Sequence, residues 1–129
     1  MIVVDTSALI AIVLKEPAAT NCAGAISVEP FVLISAGTLA EAYIVAARRH
    51  VSAELAQLVD GLGLVVMTVS AASAQRMNQA YERWGRGMHP ASLNFGDCFA
   101  YELAKEQGCR LLYIGNDFSQ TDIESVLQS

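Results

Sequence analysis

Four acidic side chains, Asp5, Glu41, Asp97 and Asp117, interrupt segments that are otherwise apolar. Hydrophobic residues make up 53% of the chain and charged residues only 16%, so each of these acids stands out from its surroundings. Carboxylates gathered in one place repel one another and stay ionised only with a compensating cation. Neither sulfur nor imidazole accompanies them. The three cysteines, Cys22, Cys98 and Cys109, are far apart with no CxxC spacing, and read as reduced core residues. The two histidines, His50 and His89, form no Ser/His/Asp or zinc-ligand pattern. Hard oxygen donors alone favour Mg²⁺ or Mn²⁺. The chemistry such a site supports is metal-assisted phosphodiester hydrolysis, in which the ion lowers the pKa of an attacking water and neutralises developing charge without a histidine base.

The elements that must position these acids alternate along the chain. Ile2-Val3-Val4 reads as a strand ending at Asp5, and Thr6 or Ser7 caps a helix through Leu14, broken at Glu16-Pro17. Residues 17–28 read as a second helix and 31–34 as a second buried strand. Ser35-Ala36-Gly37-Thr38 reads as a turn and cap before a helix over 39–49. A helix over about 52–60 is stopped by Gly61 and Gly63, and 64–69 is a third strand. Ser70 opens a helix to Trp84, and an irregular loop spans 85–92. Asn94 or Ser92 caps a helix to Gln107 with Gly108 beyond it, 111–114 is a fourth strand, and a short helix is expected near 122–127. Strands alternating with helices predict an α/β fold, a parallel sheet with helices on both faces.

In such sheets sites form at the carboxyl ends of the strands. Asp5 directly follows the first strand and Asp117 follows the fourth. Glu41 and Asp97 lie near helix N-termini, which tolerate carboxylates. Each also has a plain structural explanation. Asp5 suits an Asx-turn, Asp117 a turn and Asp122 a cap. Glu41 fits a capping box begun at Thr38, and Asp97 complements a helix dipole. Jointly they point to one edge of the sheet.

A chain of 129 residues fits one compact domain, taken as residues 1–129. No apolar run approaches the roughly 18–20 residues that span a bilayer. The apolar start lacks a basic region and a cleavage site, so a cytoplasmic protein with no membrane partner is expected. The net charge of −5 weighs against a nucleic-acid partner at first sight. Setting aside four of the 13 acids as one metal site leaves nine against eight bases, and a bound divalent cation reverses the local sign.

The opening Ile2-Val3-Val4-Asp5-Thr6-Ser7-Ala8-Leu9 resembles that of PIN-domain nucleases. Thr38-Leu39-Ala40-Glu41-Ala42 is similar to their second acidic motif, the Leu93–Tyr101 segment around Gly96-Asp97 to their third, and the Leu111–Phe118 segment to their fourth. Order, spacing and length resemble VapC toxins of VapBC toxin–antitoxin modules over essentially the whole chain. The resemblance implies a three-layer α/β/α sandwich with a central parallel sheet of four or five strands. It implies an endoribonuclease that cleaves structured RNA such as transfer or ribosomal RNA, with Mg²⁺ (or Mn²⁺) held by Asp5, Glu41 and Asp97. Asp117 matches the fourth acidic region; Asn116 or Asp122 are alternatives there, acting through water. Thr6 or Ser7 matches a hydroxyl residue that helps hold the metal or its water. Implied partners are an RNA substrate and a VapB-type antitoxin, with a homodimer that becomes a heterotetramer or larger with the antitoxin.

Arg83, Arg86 and His89 flank the glycine loop before Asp97 and are candidate RNA-phosphate contacts, with solvated surface charge as the alternative. Trp84 suits packing better than base stacking. Tyr43 and Tyr101 read as core or dimer residues, and the apolar excess suits a dimer or antitoxin groove. Competing functions are a housekeeping or DNA-acting PIN nuclease and a catalytically inert PIN-fold binding module. A receiver domain would need an acid after the third strand, where Val69-Ser70 stands instead.

Overall fold

Three β-branched residues, Ile2–Val4, form β1, and Asp5 ends the strand by capping α1 (Thr6–Val13). The Asp5 carboxylate accepts the Ser7 backbone N–H, so the cap is Asp5 itself and not the Thr6 or Ser7 hydroxyl expected from sequence. The computed structural model describes residues 1–127. After α1 come α2 (Ala19–Ser27), β2 (Val32–Ser35), α3 (Ala36–Arg48), α4 (Ser52–Leu62), β3 (Val65–Met67), α5 (Ala71–Trp84), α6 (Phe95–Gln107) and β4 (Arg110–Leu112).

The strands form one sheet in the order β3-β2-β1-β4, every pair parallel, with Val3 opposite both Leu33 and Leu111. Successive strand residues face opposite sides, and this alternation divides the core in two. Ile2, Val4 and Ile34 face a cluster with Leu9, Cys22 and Leu55 from α1, α2 and α4. Val3, Leu33 and Leu111 face Trp84, Leu93 and Phe118 on the α5–α6 side. The result is the three-layer α/β/α arrangement, with four strands among the described residues. Leu9 is fully buried, and truncating such a side chain to Ala typically costs about 2–5 kcal/mol. Among the described residues no helix is long and apolar enough to cross a membrane.

Several boundaries differ from expectation. The 35–38 segment is not a turn. Ser35 caps α3 by accepting the Gly37 N–H, so helix begins at Ala36 and Thr38 lies inside it, fully buried. This removes the capping-box explanation of Glu41, which sits in the second turn. Asn94, not Ser92, caps α6, in a capping box with Asp97. β3 is an edge strand with Val65 and Val66 exposed, and Phe31, expected in a buried strand, lies outside β2 and is exposed. The helix expected near 122–127 does not form. That segment runs parallel to β4 through a Leu111–Ser125 bridge, with Val126 donating to the Leu111 carbonyl.

Candidate active site

Asp5 leaves the carboxyl end of β1, a central strand, and is only 6% exposed. Ser7 holds it with two hydrogen bonds to Oδ2, from the backbone N–H at 3.1 Å and the hydroxyl at 2.7 Å. Ser7 Oγ in turn accepts the Ile114 N–H at 3.0 Å, tying the loop after β4 to the loop after β1. Glu41 is half-buried on α3 and receives the Thr6 hydroxyl at 2.7 Å; the same hydroxyl lies 3.1 Å from the Thr38 carbonyl. Thr6 and Ser7 thus each grip a different acid, which is a more specific role than the either-or choice expected from sequence.

Asp97 stands in the first turn of α6, 7% exposed, with Oδ2 accepting the Asn94 N–H. Gly96 beside it has no side chain to spare: a Cβ there would land on the Glu41 carboxylate. The α3 and α6 acids are therefore brought together by a glycine. Phe99 makes the same demand on Gly37, where its ring fills the place of a Cβ. Asp117 is exposed in the loop after β4, and its charge acts on Asp97.

The electrostatics connect the four acids. Burial pushes Asp5 up to about 6, opposed by the Ser7 hydrogen bonds and reinforced by Glu41. Burial pushes Asp97 up to about 7, opposed by the Asn94 N–H and reinforced by Asp117, Asp5 and Glu41. Among the described residues no Arg, Lys or His forms an ion pair with any of the four. A buried carboxylate group without a cationic partner near neutral pH is a site that favours a cation. No three Asp, Glu, His or Cys side chains among the described residues are gathered tightly enough to hold an ion by themselves. The donor set still fits magnesium, which binds through few carboxylates and keeps several waters.

The remaining sequence candidates are distributed differently. Asn116 is exposed, and its carbonyl accepts the Ser119 hydroxyl. Asp122 is held by the Tyr101 hydroxyl at 2.6 Å and by Lys105 and Arg83, so its charge is already answered and it stays below the usual carboxylate range. Arg83 spends its guanidinium on Asp122 and on the face of Trp84. His89 accepts the Ala91 N–H at Nδ1 and packs edge-on against Trp84, so it shapes the loop. Arg86 is exposed with no ion pair among the described residues. Trp84 is buried and donates to the Tyr101 hydroxyl, a packing role. Of the two tyrosines expected in the core or at a dimer contact, Tyr101 is buried and Tyr43 is exposed. Cys22, Cys98 and Cys109 are unpaired thiols, the first two buried.

Sequence reasoning missed two positions beside the acids. Gly96 was legible only as part of a motif, not as clearance for Glu41. Phe95 carries no sequence signal for facing outward: three residues before Cys98 and four before Phe99, it has the spacing of an apolar helical stripe, yet it is exposed.

A parallel α/β/α sandwich with unpaired acids beyond the carboxyl ends of its strands points to a class, that of nucleases of the PIN type. The PIN domain family model matches residues 2–124, and the chain belongs to that family. Its relatives include ribonuclease VapC36 of Mycobacterium tuberculosis, 41% identical over 95% of this chain and 91% of that protein. Ribonuclease VapC of Mycolicibacterium smegmatis is 39% identical over 96% of this chain and 98% of its own. The fold is shared with the crystal structure of M. tuberculosis VapC20, a sarcin-ricin loop cleaving toxin. Its TM-score is 0.75 at 19% identity, over 95% and 96% of the two chains. It is shared too with a chain of a toxin–antitoxin complex from Klebsiella pneumoniae, with a TM-score of 0.72 at 17% identity over 95% and 93%.

Proposed function

We propose that this chain is a Mg²⁺-dependent endoribonuclease and the toxin of a type II toxin–antitoxin module. The observation that carries the chemistry is the unanswered acidic cluster: buried Asp5 and Asp97, Glu41 pressed against Gly96, and Asp117 acting on Asp97. Membership of the PIN family and full-length similarity to VapC ribonucleases support the substrate class.

In this reading Asp5, Glu41 and Asp97 hold the ion, with Asp117 (or Asn116) reaching it through water. A bound Mg²⁺ would supply a lowered pKa for the attacking water and positive charge opposite the phosphate. The chain's own contribution is orientation. Ser7 fixes Asp5, Thr6 fixes Glu41 and the Asn94 amide fixes Asp97. Arg86 is the member of the loop trio with charge to spare for RNA. The expected targets are structured RNAs, transfer or ribosomal. The expected partners are a VapB-type antitoxin and a second copy of the chain, and exposed Val66 and Met88 offer apolar surface for such contacts. The direct experiment incubates the purified protein with total RNA. Discrete cleavage products with Mg²⁺ and none with EDTA are expected; equal cleavage in EDTA, or none in either, counts against the proposal.

A further inference from the structure

Phe95 is 73% exposed although it lies in the first turn of α6, two residues before buried Asp97. Leaving a phenyl ring in water is unfavourable, yet the ring is not loose. Phe99 meets it edge-on at a centroid distance of 4.9 Å and an angle of 78°, and Phe99 is itself seated over Gly37. An edge-on contact covers at most one face of Phe95, and the ring is mostly exposed. A groove of about 410 Å³ runs between α3 and α6, bordered by Phe95, Gly96, Glu41, Ile44 and Arg48.

Arg48 completes the picture. Arg76, Arg83, Lys105 and Arg110 are each within ion-pair distance of a carboxylate. Arg48 is exposed and has no ion pair among the described residues. One groove thus holds an open aromatic face, an unpaired guanidinium and a carboxylate of the proposed metal site. An aromatic ring stacks on a nucleobase whatever its sequence, and a guanidinium matches a phosphate with paired hydrogen bonds. The groove on the other side of Phe95, about 480 Å³, is lined by Val69, Met77, Tyr81 and other uncharged residues, and offers a phosphate no cation.

We propose that the α3–α6 groove seats the unpaired RNA strand beside the cleaved bond, with one base on the Phe95 ring and a phosphate on Arg48. This rests on the ribonuclease reading above but concerns binding, so the two can fail separately. The test uses the full chain in EDTA, which halts cleavage, and a fluorescent mixed-sequence single-stranded oligoribonucleotide followed by anisotropy over a range of salt. Phe95→Leu should weaken binding about tenfold, and Phe95→Tyr should keep it. Arg48→Gln should weaken binding and flatten the salt dependence by about one phosphate contact, which a merely structural residue would not do. Wild-type affinity and salt slope in both Phe95→Leu and Arg48→Gln would overturn the proposal. So would unchanged RNA affinity in a Phe95→Leu protein whose oligomeric state has shifted on size exclusion, because a protein would then cover the groove. Absence of cleavage by wild type in Mg²⁺ would sink the ribonuclease reading, while loss of RNA binding in the two variants would still uphold the groove.

Discussion

The Thr6 hydroxyl donates to Glu41 Oε1 at 2.7 Å across a sequence separation of 35 residues, binding the start of α1 to the middle of α3. The same hydroxyl lies 3.1 Å from the Thr38 carbonyl, so a single buried group sets both the position of α3 and the direction of its acid. Thr6→Val should lower stability by about 1–3 kcal/mol, since the buried partners lose their donor, and lower RNA cleavage by about tenfold, the usual cost of removing a residue that orients a ligand. Thr6→Ser should restore most of the activity. Thermal unfolding and a cleavage assay on the three proteins check this; a Thr6→Val enzyme as active as wild type would refute it.

Gly96 is the second fixed point for Glu41. A methyl group there meets the far end of a flexible side chain, so the fold should tolerate Gly96→Ala while the carboxylate moves aside. Misplacing a reacting group by about 1 Å can cost about 100-fold. The expected outcome is a folded protein with a melting temperature near wild type and cleavage reduced by about that factor.

Asp97 should make the metal-free protein less stable as pH rises. Burial pushes its carboxyl up to about 7 in the fold, against 3.8 for a free aspartate side chain. Between those values the folded chain keeps a proton that the unfolded chain has released. Stability therefore falls through this window by roughly 1 kcal/mol per pH unit, and the loss is complete above the folded pKa. Asp97→Asn removes the Asp97 share of this dependence and leaves that of Asp5, also raised by burial. In EDTA, Asp97→Asn should melt higher than wild type at pH 8 and close to it at pH 4, as differential scanning fluorimetry would show. Equal differences at the two pH values would contradict the assignment.

Toxin action predicts a cellular result. Expression of the wild-type chain alone should arrest growth of a bacterial host, and the Asp5→Asn chain, at the same level of soluble protein, should not. Co-expression with the cognate antitoxin should restore growth. Unimpeded growth with abundant soluble wild type would contradict a toxin role.

Much of this was legible in the sequence because local signals and tertiary demands agree. Ile2–Val4 running into Asp5, Gly108 in a left-handed cap and Asn94 three residues before Asp97 all behave as their residue types dictate. The misreadings arise where two local signals compete. Ser35 and Thr38 both offer a capping hydroxyl, and packing of Ala36 and Gly37 into helix selects Ser35, leaving the buried Thr38 Oγ1 without a partner among the described residues. Residues 122–127 have helical composition, but pairing with Leu111 and the anchoring of Asp122 by Tyr101 and Lys105 keep them out of a helix. Arg83 and His89 were identified by proximity in sequence to Asp97, and proximity could not show that Asp122 and Trp84 already occupy them. The clearance at Gly96 and the outward ring of Phe95 depend on how α3 meets α6, which no single segment encodes.

The central claim, that the acids around Asp97 act on RNA through a divalent cation, is tested most directly by titrating Mg²⁺ into cleavage reactions of wild type and Asp97→Asn. The account predicts no cleavage without metal and a saturable rise for wild type. For Asp97→Asn it predicts little or no cleavage, appearing only at much higher Mg²⁺. Superimposable curves for the two proteins, or cleavage that ignores Mg²⁺ altogether, would contradict it.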